Sequence, residues 1–230
     1  MARQFILEHI IRNKLRSGDS LPPEGQIAQE LGVSRGSVRE AVKALESLGI
    51  VEVRHGEGLY VRGISFNSLL EILTFGARFD PSLLADLLQV RTWLEVAAVE
   101  DAVKSIDEAH LQEMEKCLQE WEESIRRGAP VHKVDCQFHR ALYSSLGNRV
   151  LLEMFDIFWT IFSHIGIEDI KCDPTPQATL EEHRAVFEAV KKRNPVAARE
   201  GIIRSNAHIM ERIRRVIEAA RQRSTEGGTP

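Results

Sequence analysis

Four side chains of metal-ligating type are spaced as if to meet: Asp135 and His139 at i and i+4, then His183 and His208 further along. The i, i+4 step stacks the first two on one helix face, and that face runs on through Leu142 and Leu146 toward an interior. His183 heads an apolar stripe of Val186, Phe187 and Val190, so it turns the same way. His208 aligns with Ala197 and Gly201, small residues that admit a neighbouring helix or a ligand. Imidazole nitrogens with one carboxylate oxygen suit a divalent transition metal, zinc first and nickel, manganese or iron as alternatives, and do not suit calcium. The competing role for each histidine is that of a hydrogen-bonded core residue on an apolar face. Arg91 shares a face with Leu84, Leu87, Leu88 and Ala98 and is expected to be partly buried. A buried guanidinium needs an anion, which is either Glu95 at i+4 or the carboxylate of a small ligand that its planar fork fits. Three histidines and an aspartate with open positions could also activate water, so a metal-dependent enzyme is the alternative class. No glutamate stands where a general base is needed, because Glu182 points about 100° of helix rotation away from His183.

Those side chains can converge only if helices carry them. Beyond Gly63 helical period is continuous apart from Pro and Gly punctuation, which predicts helices over Phe66–Phe79, Pro81–Ser105, Glu108–Arg127, Val131–Leu146, Arg149–Gly166, Pro176–Arg193 and Pro195–Arg223. Asp80-Pro81, Asn148, Thr175-Pro176 and Asn194-Pro195 each set a capping side chain just ahead of a first turn. The expected second domain is an all-α bundle over residues 81–223, reached through a linker helix in 64–80 and followed by a small polar tail, 224–230, that frays.

The first 63 residues read differently. Ser34 is a good N-cap, and Arg35, Arg39 and Lys43 follow on one helix face, opposite Val38, Val42 and Leu45. An apolar stripe on one side and a row of cations with the hydroxyls of Ser34 and Ser37 on the other suit a phosphate-lined groove. Gly49 ends this helix, Ile50–Arg54 alternates as a strand, residues 55–58 turn, and Leu59-Tyr60-Val61 returns. Upstream, Pro22-Pro23 opens a shorter helix through Glu30, with Leu31-Gly32-Val33 as the tight turn between the two. The expected fold class is mainly α: a winged helix-turn-helix with a two-stranded wing over residues 1–63, then the helical bundle.

Composition sets outer bounds. A chain of 230 residues with 43% hydrophobic content can build two small domains. No apolar run reaches membrane-spanning length and no signal-peptide pattern opens the chain, so a cytoplasmic protein with no membrane partner is expected. Cys117, Cys136 and Cys172 are odd in number and lack CxxC spacing, as buried or incidental thiols do. Residues 1–63 hold nine Lys/Arg and eight Asp/Glu, a net of +1, against −5 for the remainder. Nucleic-acid binding therefore rests on clustering of cations and not on total charge.

Over roughly residues 3–62 the chain resembles the N-terminal domain of the GntR family of bacterial transcriptional regulators. The resemblance is carried by Leu21-Pro22, Glu24, Ile27-Ala28, Leu31-Gly32-Val33-Ser34-Arg35, Val38-Arg39-Glu40-Ala41, Leu45, Leu48-Gly49, and Gly56 with Gly58-Leu59-Tyr60-Val61. It implies that Ser34, Arg35, Ser37 and Arg39 contact the operator's major groove and backbone while His55 and Gly56 reach the minor groove. Two departures stand out: Gly25 occupies the place of a DNA-contacting arginine, and acidic Glu57 sits in the wing. Residues 66–220 look like the ligand-binding domain of the FadR-type (FCD) subfamily, through Asp86-Leu87-Leu88, Arg91, Glu95, Asp135-Cys136-Gln137-Phe138-His139, Gly147-Asn148, Glu182-His183 and His208. The resemblance implies that Asp135, His139, His183 and His208 hold a metal and that Arg91 binds the carboxylate of an effector. It further implies a homodimer on an inverted-repeat DNA operator, usually a repressor and not an enzyme, with a regulator that senses the metal itself as another reading. The helix over 149–166 offers Trp159, Ser163 and His164 where relatives carry arginines, so a weakly cationic pocket and a less charged effector are expected.

Overall fold

Val38, Val42 and Leu45 recur at helical spacing and are almost fully buried, and the first part of the molecule is built around them. A computed structural model describes residues 1–63, 66–164 and 175–226, in two compact units, Met1–Ile72 and Leu73–Pro230. The first contains α1 (Ala2–Arg12), β1 (Ser20–Leu21), α2 (Glu24–Leu31), α3 (Arg35–Ser47), β2 (Val51–Arg54) and β3 (Gly58–Val61). The strands form an antiparallel sheet in the order β1-β3-β2, with Val51 opposite Val61 and Leu21 opposite Leu59. Ile6, Ile27, Val38, Leu45, Val51 and Leu59 close one core beneath the helices and the sheet.

Two local devices fix the helix pair. Gly32 ends α2 at φ 65°, a left-handed conformation that side chains with a Cβ resist. Ser34 then caps α3, its Oγ accepting from the Ser37 N–H at 3.1 Å. The expected two-stranded wing is present as β2 and β3, and β1 adds a third strand beside β3. Strand β1 is only two residues long and ends at Pro22, too short for any alternation to mark it. Helix α1 also carries no clear stripe, with only Ala2 and Ile6 buried.

The second unit is all-helical, as its periodicity requires. The chain continues through α4 (Asn67–Phe79), α5 (Leu83–Ser105), α6 (Glu108–Arg126), α7 (His132–Ser144), α8 (Arg149–His164), α9 (Pro176–Lys191) and α10 (Pro195–Glu226), making ten helices among the described residues. Helix α5 begins at Leu83 rather than Pro81 because Asp80 Oδ1 accepts from the Ser82 N–H at 2.9 Å and forms a separate turn first. Helix α10 runs on to Glu226, past the Arg223 end expected for it. Gly166, Cys172, the His164 side chain and residues 227–230 lie outside the described residues.

Packing brings the relevant faces inward. Helix α5 lies against α7, α8 and α10, while α6 lies against α7 and α9, and α9 against α10. Leu84, Leu88, Val99, Phe138, Leu142 and Val186 are fully buried between them. Gly201 is where α9 and α10 approach most closely: a Cβ there would stand 2.5 Å from Val186 Cγ2. The small residues aligned with His208 therefore admit a neighbouring helix. None of the helices is long and apolar enough to cross a membrane, among the described residues.

Candidate metal centre and nucleic-acid interface

Asp135 lies in the first turn of α7, where the helix dipole favours an anion, and His139 follows one turn later. The apolar stripe of α9 carries His183 to the same point. Asp135 is 8% exposed, and His139 and His183 are 1% exposed. Asp135 Oδ1 is 3.0 Å from His183 Nε2 and 3.4 Å from His139 Nε2, and the two Nε2 atoms are 3.2 Å apart. Despite these distances Asp135 Oδ1 makes no aligned hydrogen bond to either ring. The two Nε2 atoms are aligned with each other, and all three atoms lie close enough together to share one ion. Metal bonds of about 2.1 Å place neighbouring ligands about 3.0 Å apart at right angles and about 3.4 Å apart at tetrahedral angles. The observed triangle has those edges.

The far sides of both rings are engaged. His183 Nδ1 is 2.7 Å from the Thr179 carbonyl oxygen, to which it donates, leaving a lone pair on Nε2. His139 Nδ1 lies 2.9 Å from Glu95 Oε1, an ion-pair contact without an aligned hydrogen bond. Burial alone would lower the His139 pKa, but Glu95 and Asp135 outweigh it and raise the pKa to about 9. Burial pushes Glu95 up, and the adjacent Arg91 and His139 bring it down to about 2. Asp135 is likewise held well below the usual carboxylate range, burial being overcome by the two histidines. Donor chemistry, spacing and ring orientation in this group all fit a divalent ion.

His208 is not brought into the triangle. Its ring is 57% exposed and its Nδ1 lies 3.1 Å from Glu182 Oε1, although it lines the cavity that borders the group. The expected four-ligand set is therefore three converging ligands and one neighbour. Glu182, facing away from His183, is engaged by this contact.

Arg91 resolves both alternatives open for it. Its Nε lies 3.3 Å from Glu95 Oε1, and its guanidinium stacks 3.8 Å from the Trp159 ring centroid. Yet Nη1 and Nη2 are buried and meet no acceptor, beside a cavity of about 490 Å³ that Arg91, Trp121, Asp135, Trp159 and Ser205 help to line. Two buried, unpartnered guanidinium nitrogens at the edge of a cavity have the chemistry that suits an anion. Glu95 does more than balance Arg91: its Oε2 accepts from Asn206 Nδ2 at 2.6 Å and its carbonyl from Tyr143 OH at 3.1 Å. Spacing alone offered only the Arg91–Glu95 pair. Trp121 and Ser205, whose Nε1 and Oγ are also buried without partners, gave no signal beyond helical period.

In the first unit, Ser34, Arg35, Ser37, Arg39 and Lys43 lie on the exposed side of α3. The Ser34 and Ser37 hydroxyls are 2.9 Å apart. Arg39 pairs with Glu24 at 3.3 Å and Lys43 with Glu40 at 3.0 Å, both largely in solvent. His55 and Gly56 sit in the turn joining β2 to β3, and His55 borders one shallow cleft with Arg39 and Lys43. Arg54, unmarked in the sequence, adds a wing cation 4.2 Å over the Tyr60 ring.

Residues 1–61 match the gntR family of bacterial regulatory proteins and residues 86–209 match the FCD domain. The chain belongs to the GntR family. It is similar to the HTH-type transcriptional regulator LutR of Bacillus subtilis, at 28% identity over 200 residues, 84% of this chain and 91% of LutR. The Uxu operon transcriptional regulator of Escherichia coli is 29% identical over 219 residues, 91% of this chain and 84% of that one. The HTH-type transcriptional repressor NanR of Cronobacter sakazakii is 26% identical over 200 residues, 85% and 77%. A solved Streptococcus agalactiae GntR has a TM-score of 0.67 at 26% identity, covering 91% of this chain and 97% of that one. As a GntR regulator the chain is a DNA-binding transcription factor, which sets the enzyme alternative aside.

Within this GntR chain the two departures acquire physical form. A Cβ at Gly25 would stand 3.5 Å from Arg35 Nη2, so Arg35 occupies space beside the position where an arginine was expected. The weakly cationic pocket is corrected as well. Helix α8 supplies Trp159, Thr160, Phe162 and Ser163, but Lys133 of α7 and Arg212 and Arg215 of α10 line the same cavity.

Proposed function

We propose that this GntR regulator is a repressor that grips an inverted-repeat operator as a homodimer and releases it when a small hydroxy, keto or sugar acid binds at a divalent metal in the FCD domain. One observation carries the reading: two unpartnered guanidinium nitrogens of buried Arg91 border a cavity beside Asp135, His139 and His183. Those three residues would hold the ion, zinc ahead of nickel, manganese or iron, and His208 would join them only by leaving Glu182. Such an ion, when bound, supplies open coordination positions for acid oxygens. Arg91 binds and neutralises the carboxylate, Glu95 fixes both Arg91 and His139, and Trp159 covers the guanidinium from one face. The acid acts by favouring one arrangement of these helices over another, since a ligand without differential affinity shifts nothing.

DNA binding follows from α3 and the wing. Ser34, Arg35, Ser37 and Arg39 meet the major groove and backbone, Lys43 adds a phosphate contact, and His55 and Gly56 approach the minor groove. Each winged helix has a net charge of only +1 and must exchange Glu24 and Glu40 for phosphates. One copy binds weakly; two copies spaced by a dimer bind well. The exposed Val90 and Trp93 of α5, 38% and 64% exposed, suit a second copy. The NanR relative is named a repressor, which supports repression here.

The test is an operator titration on the purified regulator with metal content measured in parallel. About one ion per chain and acid-triggered release are expected. Arg91→Gln should keep the metal and lose the response to acid, and His208→Ala should weaken metal binding with little loss of fold. Release by metal alone would replace this reading with a metal sensor, and an unchanged acid response in Arg91→Gln would remove the arginine from the receptor.

A further inference from the structure

The cavity of the second unit has two chemically distinct levels. At its floor Arg91, Asp135 and Ser205 are buried, and the donors Arg91 Nη1 and Nη2, Trp121 Nε1 and Ser205 Oγ meet no acceptor. An acid with a purely apolar tail would leave the indole N–H and the hydroxyl stranded in a dry site, at a cost to binding. At its rim the chemistry changes to cations, Lys133 and Arg215 exposed and Arg212 half-buried. Arg212 and Arg215 follow Ser205 along α10, at about 10 and about 15 Å of helix axis, and Lys133 stands exposed in the first turn of α7. Arg215 is 72% exposed, and its pair with Glu211 is an i, i+4 contact in solvent that a ligand anion can displace. Lys133 has no acidic partner among the described residues. Glu211 is the one rim carboxylate against three cations among the described lining residues.

We infer that the effector is two-headed. One carboxylate goes to the floor at Arg91, hydroxyl or carbonyl oxygens along the chain accept from Trp121 and Ser205, and a second anionic group, carboxylate or phosphate, reaches Lys133 and Arg215 at the rim. This rests on the acid-binding reading above and narrows it from a single acid to a dianion bearing oxygen along its length. Helix α10 thereby touches both ends of the ligand, through Ser205 and Arg215.

Calorimetry on the full-length, zinc-loaded protein with three probes on one six-carbon skeleton tests it: gluconate, with one acid, glucarate, with an acid at each end, and 6-phosphogluconate. The expected result is that at least one two-headed probe binds tenfold or more tighter than gluconate, the better of the two identifying the second head. Lys133→Gln with Arg215→Gln should abolish that advantage and leave gluconate affinity unchanged, which also shows the variant to be folded. Arg91→Gln should weaken all three. Equal affinities unaffected by the rim variant would overturn the two-headed ligand while leaving the floor reading intact, whereas indifference to Arg91→Gln would overturn the floor reading itself. Binding of none of the three overturns the inference.

Discussion

Glu95 is approached from three directions: Arg91 Nε donates to Oε1, Asn206 Nδ2 donates to Oε2, and His139 Nδ1 stands 2.9 Å from Oε1. With its pKa held at about 2 the carboxylate stays charged throughout the neutral range, so only substitution removes that charge. Glu95→Gln keeps the shape and leaves Arg91 uncompensated at 0% exposure. Breaking such a buried pair costs about 3 kcal/mol, and losing the partner of a ligating histidine costs about 10- to 100-fold in metal affinity. Thermal melting and metal titration of the variant check both figures; an unchanged metal affinity would mean that Glu95 orients nothing. Much of this site could be read from spacing, since Asp135 with His139 and the stripe below His183 each signal burial within one helix. The second role of Glu95, and the unpartnered groups of Trp121 and Ser205, arise only where different helices meet, and no periodicity records that.

Elements show the same division. Helices with a 3.6-residue stripe and a capping side chain were legible to within a few residues, as α3 behind Ser34 and α8 behind Asn148 show, the latter accepting from the Leu151 N–H at 3.1 Å. Strand β1 and helix α1, held by tertiary pairing and only two buried residues respectively, were not legible. The rim cations went unread for a related reason: pocket charge was judged from α8, which lacks arginines there, whereas α7 and α10 supply it. Two changes test the elements. Gly201→Ala drives a methyl into Val186 at the α9–α10 crossing and should destabilise the bundle by about 1–3 kcal/mol, the usual range for overpacking. A gain in stability, as expected for Gly to Ala on a helix with open space, would mean that the helices can part there. Arg39→Ala exchanges a solvent-exposed pair with Glu24 for nothing, so the fold should be unaffected within about 0.5 kcal/mol. Operator affinity should fall, with the salt dependence shallower by about one counterion. Identical salt slopes for the variant and the parent would take Arg39 off the phosphates.

At the scale of the molecule the DNA-binding elements and the proposed metal and acid site fall in different compact units, and the tryptophans make that division measurable. Trp93, Trp121 and Trp159 all fall in Leu73–Pro230, so indole fluorescence reports the second unit while far-ultraviolet dichroism reports both. The Trp121 ring lies tilted 4.4 Å from that of His183 and Trp159 lies 5.7 Å from His139, close enough to register a change at the proposed ligands. An ion bound only by the folded state adds its binding free energy to folding, about 4 kcal/mol at a thousandfold excess over its dissociation constant. At about 2–4 °C per kcal/mol for a unit of this size, stripping the metal with a chelator should lower the fluorescence midpoint by about 10 °C. The dichroism change belonging to Met1–Ile72 should stay where it was, because none of the proposed ligands lies there. If both midpoints fall together, the chain unfolds as one block and ligand-driven changes in the FCD domain need no separate route to the recognition helix. If neither moves, no metal supports the fold and the triangle of Asp135, His139 and His183 is a polar cluster of the core.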